Sequence, residues 1–170
     1  MEFKEKKFEI KEDSIGKIED SSCVGTLNGH TYSVYCITEL KSGELVSGSE
    51  DKTIKIWNLK SKACVATLYG HTDSVKIIVE LKSGELASGS GDKTIKIWDL
   101  KKKTCVATMN GHTYAVTCIV ELKSGELASG SRDKTIKIWD LNTKTCVATM
   151  NDHTDDVTCI VELTRDICVL

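Results

Sequence analysis

The chain of 170 residues contains no proline, and only 5% of it is aromatic: two Phe, three Trp and four Tyr. With no proline, no strand is denied a backbone donor from within. Charge of one sign is also missing: Lys+Arg number 23 against Asp+Glu 25, a formal net charge of −2. There is no basic excess to hold nucleic acid or anionic lipid. No hydrophobic run approaches the roughly eighteen residues of a membrane-spanning helix. The first twenty residues, MEFKEKKFEI KEDSIGKIED, lack the apolar stretch of a signal peptide. These absences argue against a secreted, membrane or histone-like protein. The length suits one domain with a sizeable core.

Cysteine is plentiful, at eight residues, but its spacing is not that of a disulfide or metal framework. Cys23, Cys64, Cys105 and Cys146 recur every 41 residues, and Cys36, Cys118 and Cys159 form a second ladder with Ile77 on its missing rung. No Cys-x-x-Cys pair or zinc-type Cys/His spacing occurs, and no cofactor is implied. A site that Ile fills in one copy reads as a small apolar packing position, so both ladders are expected to be structural. Cys168 stands outside them and is the thiol to test for reactivity. Free cysteines point to a reducing compartment, the cytoplasm, with the nucleus left open.

The same period of 41 governs Gly29-His30, Gly70-His71 and Gly111-His112, followed by Asp152-His153, as well as Trp57, Trp98 and Trp139. Residues 64–104 and 105–145 agree at 32 of 41 positions. A period of this size signals a repeat architecture. Within the copy beginning at Cys64, Val75–Leu81 is a largely apolar run that predicts a strand covered on both faces. Lys82-Ser83-Gly84 turns the chain. Glu85–Ser90, Thr94–Leu100 and Cys105–Met109 read as three further strands, separated by the turn at Gly91-Asp92-Lys93 and another at 101–104. Four strands per unit and no helical period make the fold all-β.

The unit Gly70-His71-Thr72…Leu86-Ala87-Ser88-Gly89-Ser90-Gly91-Asp92-Lys93-Thr94-Ile95-Lys96-Ile97-Trp98-Asp99 resembles a WD repeat. Three full copies and partial terminal ones cover residues 23–170, with Trp57-Asn58 and Asp152 as departures from the pattern. The resemblance implies β-propeller blades of four antiparallel strands, each repeat supplying the outermost strand of one blade and the inner three of the next. It also implies a hydrogen-bonded set in each blade: His30, Ser47, Asp51, Trp57; His71, Ser88, Asp92, Trp98; and His112, Ser129, Asp133, Trp139. Leaving any of these buried polar groups unpaired costs about 1–3 kcal/mol.

Ser, His and Asp together also raise a hydrolase reading. It is the weaker one: the arrangement comes three times, each with a Trp attached, and no Gly-x-Ser-x-Gly elbow is present. The histidines, 41 residues apart on separate blades, do not form a metal site. The expectation is a non-enzyme.

Copies two and three differ at nine positions, five of them around the Gly-His loop or just before the turn Asp. In proteins that resemble this one, that end of the propeller binds partners. The candidate protein-binding residues are therefore Tyr32, Ser33, Tyr35 and Glu50; Asp73, Ser74, Lys76 and Gly91; Tyr114, Ala115, Thr117 and Arg132; and Asp155, Asp156 and Thr158. All four tyrosines fall in this region, and Tyr and Arg are frequent interface hot spots. The function expected is a scaffold that presents these loops to a protein or peptide. The resemblance offers substrate recognition in a ubiquitin-ligase assembly as an alternative. No nucleic-acid or membrane partner is expected.

About four blades fall short of the family's usual seven. Three arrangements hide the end faces: a closed small ring, a ring of two paired chains, or part of a longer propeller. In the closed ring, Ser14–Asp20 and Cys23–Leu27 would join strands at Val157–Leu163 and Ile167–Leu170. Residues 1–22, with five Lys and seven Asp+Glu, read as a charged segment or latch strand, Phe8-Glu9-Ile10-Lys11 being the stretch able to add an edge strand. Residues 23–170 read as the propeller region.

Overall fold

A computed structural model describes residues 25–162 and 167–169. Ser14–Asp20, Phe8–Lys11, Cys23 and the Cys168 side chain lie outside the described residues. Among the described residues fourteen strands form and there is no helix. The first blade is β1 (Val34–Glu39), β2 (Leu45–Ser49), β3 (Ile54–Asn58) and β4 (Ala63–Leu68), antiparallel and in sequence order. The second is β5 (Val75–Glu80), β6 (Leu86–Ser90), β7 (Ile95–Asp99) and β8 (Thr104–Met109). The third is β9 (Val116–Glu121), β10 (Leu127–Ser131), β11 (Ile136–Asp140) and β12 (Thr145–Met150). A two-stranded sheet, β13 (Ile160–Glu162) and β14 (Ile167–Val169), follows.

Turn chemistry explains the strand limits. Gly84 turns at φ 84°, a conformation open to glycine, while its N–H donates to the Leu81 carbonyl at 2.9 Å. Between β6 and β7, Lys93 takes φ 73°, and its N–H reaches the Ser90 carbonyl at 3.2 Å. Strands β4 and β8 begin at the 41-residue unit boundaries, so each sheet closes with the first strand of the next sequence unit, as the resemblance implies.

The core lies between blades rather than within one. Val46, Ile54 and Leu68 of the first blade pack with Val75, Ile78 and Leu86 of the second. Ala87, Ile95 and Met109 of the second pack with Val116, Ile119 and Leu127 of the third. Close approach depends on glycine: a Cβ on Gly89 would lie 2.6 Å from Val116 Cγ1 and 2.9 Å from Ile77 Cγ2. Polar stitches run alongside. The Lys41 N–H donates to Glu80 Oε2 at 2.8 Å, Lys82 to Glu121 at 2.6 Å and Lys123 to Glu162 at 2.9 Å.

The two ends of this arc differ from its middle. Val34 and Ile37 of β1 are 52% and 63% exposed, because among the described residues no blade precedes them. Their counterparts Val75 and Ile78 are 0% and 5% exposed. At the far end β12 is exposed along its whole length. Gly25–Leu27 is not in a strand, unlike the outer strand expected at Cys23–Leu27.

The cysteine reading needs correction. Cys118 is buried and Cys36 partly so, and burial pushes both thiols up to about 11. Cys64, Cys105 and Cys146 are exposed instead, each donating its S–H to the carbonyl of the alanine two residues on, at 3.2 Å. They sit on the outermost strand, which has solvent where an inner strand has a neighbour. Cys159 is exposed too, with no four-stranded blade beyond it among the described residues.

Candidate functional site

Each blade carries one repeated chain of side-chain hydrogen bonds. Trp98 Nε1–H donates to Ser88 Oγ at 2.8 Å, Ser88 Oγ lies 2.7 Å from His71 Nε2, and His71 Nδ1 lies 2.7 Å from Asp92 Oδ2. The Trp139, Ser129, His112, Asp133 set matches it at 2.8, 2.7 and 2.7 Å. The Trp57, Ser47, His30, Asp51 set gives 2.8, 2.8 and 2.7 Å. An indole N–H can only donate, so the serine oxygen accepts it and is left to give its own proton to a neutral imidazole. The remaining ring N–H then serves the carboxylate.

Electrostatics agree with that assignment. Burial lowers the His112 pKa below its ordinary value, against the pull of Asp133. Burial alone would raise the Asp133 carboxyl. Hydrogen bonds from the Thr135 hydroxyl, the Thr113 N–H and His112 outweigh it and bring the carboxyl down to about 2. Asp51 and Asp92 are likewise held far below the usual carboxylate range by hydroxyl, imidazole and N–H donors.

Thr53, Thr94 and Thr135, which donate to these aspartates at 2.6–2.7 Å, complete the sets. Ser49, Ser90 and Ser131 are missing from the sequence reading as well; their hydroxyls donate to the Tyr32, Asp73 and Tyr114 carbonyls at 3.0–3.3 Å. Both groups recur on the 41-residue period, which is the signal that marks them. His153 is the exception: its buried Nδ1 has no partner among the described residues, and the position seventeen residues on, a serine in the other sets, is Leu170.

The Ser, His and Asp geometry is that of a charge-relay row, but Ser88 and Ser129 are fully buried. Ser47 borders a groove of about 220 Å³ on the open face of the first blade. Its oxygen is nevertheless occupied by the Trp57 indole, and its own exposure is 3%. What the row does is clamp the Gly-His loop to the turn between the second and third strands. Backbone bonds assist: the N–H groups of Glu50, Gly91 and Arg132 donate to the Ser33, Ser74 and Ala115 carbonyls at 2.9–3.0 Å.

These clamped loops bring most of the candidate binding residues to one end of the blades. Tyr32, Tyr35 and Tyr114 are exposed there, with Ser33, Glu50, Asp73, Arg132, Asp155, Asp156 and Thr158. Lys76 Nζ stands 3.5 Å over the Tyr35 ring, and Arg132 Nε lies 3.6 Å from Asp156 Oδ2. A cavity of about 370 Å³ opens between Tyr32, Glu50, Lys52 and Asp73. Ser74 and Thr117 serve differently. Ser74 is buried, and the Thr117 hydroxyl donates to the Gly130 and Val157 carbonyls at the join to the next sheet. Ala115 and Gly91 are half-buried. Among the described residues no group of three or more His, Cys, Asp or Glu is placed to hold a metal ion.

Four-stranded blades with the core between them, and loops clamped at one end, are the blades of a β-propeller. The family model for the WD domain, G-beta repeat, matches residues 21–58, 62–99 and 103–140, and the chain belongs to that family. The solved WD40 beta propeller domain of Doa1 superposes with a TM-score of 0.78, at 26% identity, over 84% of this chain and 49% of that one. The structure of U3-55K does so with a TM-score of 0.73, at 26% identity, over 79% and 44%. The chain thus spans about half the length of the solved structures it matches. No curated protein matches it. WD40 propellers generally act as non-catalytic scaffolds that bind protein partners.

Proposed function

We propose that this chain is a non-catalytic scaffold of the cytoplasm, binding a protein or peptide partner on the loop end of its blades. The observation that carries the reading is the exposure of Tyr32 and Tyr114 on loops held by hydrogen bonds to buried serines, with Tyr35 exposed beside them at the start of β1. Large aromatic surfaces fixed in place bind with little loss of side-chain freedom. Mixed acidic and basic neighbours, Glu50, Asp73, Lys76 and Arg132, give the face polar groups that select a register. Peptides selected on the wild-type chain test the reading. Replacing Tyr35, Tyr114 and Arg132 together by Ala should weaken the selected peptides at least about thirtyfold, as loss of hot-spot residues does, with the melting temperature nearly unchanged. Unaltered affinity would count against the loop-end face.

A further inference from the structure

We propose that the outward face of β1, uncovered among the described residues, is the docking site for the far end of a second copy of this chain, two copies closing one ring head to tail. The inference concerns a blade face and stands apart from the loop-end reading.

The molecule already contains the contact it would make. Val34, Ile37 and Glu39 hold the places that Val75, Ile78 and Glu80 hold in the second blade, and Val116, Ile119 and Glu121 in the third. In those blades the valine sits against a glycine of the blade before it: Val75 Cγ1 and Cys36 Sγ would lie 2.6 and 2.7 Å from a Cβ on Gly48. The glutamates accept an N–H from Lys41 and Lys82. Val34 and Ile37 are instead exposed, and the Glu39 carboxylate has no hydrogen bond among the described residues. The surface is an unoccupied copy of an interface that the chain forms within itself.

The far end carries the matching half. Ile77 and Val79 of β5 pack toward the third blade, and Cys118 and Val120 of β9 toward β13. The next pair in this series, Cys159 and Val161, is exposed. Head and tail therefore differ from each other and complement each other, which is a heterologous contact rather than a self-complementary one.

The matched residues cover 49% and 44% of the two solved chains, so each leaves about as much chain unmatched as matched. A second copy supplies that remainder, and both ends are covered at once.

Sedimentation equilibrium of the full chain over the micromolar to millimolar range tests this. The expected species has twice the 18.7 kDa of one chain. Ile37→Asp should halve the mass without changing the far-ultraviolet dichroism, because that side chain already faces water in the single chain. Val161→Asp, at the other end, should also halve it, whereas Val106→Asp on the exposed outer strand should leave it doubled. A wild-type mass of 18.7 kDa throughout would overturn the proposal, the face then being covered by residues 1–24 of its own chain or by water. So would a dimer that survives either end substitution, which would place the contact elsewhere or make it face to face. Mass growing without limit would mean an open filament and would overturn the closed ring.

Discussion

In β5, Val75 and Ile78 are sealed against the first blade, whereas Val34 and Ile37, at the same places in β1, look out into water. The residues facing out and the residues facing in are the same types, on strands of the same length. What differs is the presence of a preceding blade with a glycine floor. Burial here is decided one blade away from the residue that is buried. The clamped rows of Trp, Ser, His and Asp behave in the opposite manner. They are alike to within 0.1 Å in the end blade and the middle one, because every partner in them belongs to one sheet and its own loops.

The largest effect should come from the rows. Trp98→Ala removes a fully buried indole and its donated hydrogen bond, and should cost about 3–5 kcal/mol in chemical denaturation. Trp57→Ala should cost a comparable amount although it lies in the end blade. A much smaller cost there would break the claim that the rows do not sense the end. Next comes the strand itself. Val75→Ala should destabilise by about 1–2 kcal/mol, while Val34→Ala in dilute solution should stay within about 0.5 kcal/mol of wild type. Equal costs would mean that the β1 face is covered.

Acid should act on the rows through their aspartates, and in the third row through His112 as well. The folded-state pKa of His112 lies below its ordinary 6.5, and that of Asp133, at about 2, below its ordinary 3.8. Both groups bind protons less readily in the folded chain, so the stability they contribute is complete at neutral pH. It is lost as pH falls: first below about 6.5 through the histidine, then more steeply from about 4 toward 2 through the aspartates. Melting temperatures measured across that range should fall throughout, and a rise on acidification would reverse the assignment of a neutral His112.

Strand positions in the second blade were legible to within about a residue, since apolar runs bounded by Gly or Asp-Lys turns leave little choice, whereas the run Val157–Leu163 is observed as a strand only over Ile160–Glu162. Val75–Leu81 is observed as Val75–Glu80, and Cys105–Met109 as Thr104–Met109. The members of each hydrogen-bonded row were legible through the family pattern, though Thr53, Thr94 and Thr135 were not singled out. What stayed hidden depends on stacking. An outermost strand and an inner strand can carry similar apolar residues, so the exposure of Cys64 could not be told from the burial of Cys118. Ser74 looks like any polar loop residue until the loop folds over it. The Lys41–Glu80 stitch joins residues 39 apart, and nothing local marks it.

The offset between sequence unit and sheet has a mechanical consequence. Each 41-residue unit gives its first strand to one sheet and the next three to another. Pulling β8 out of the second blade therefore tugs on β9 of the third through only the short loop between them, and removing any one unit leaves two sheets short. Neighbouring blades are tied as links in a chain are tied, so fraying should start at the ends and meet rising resistance inward.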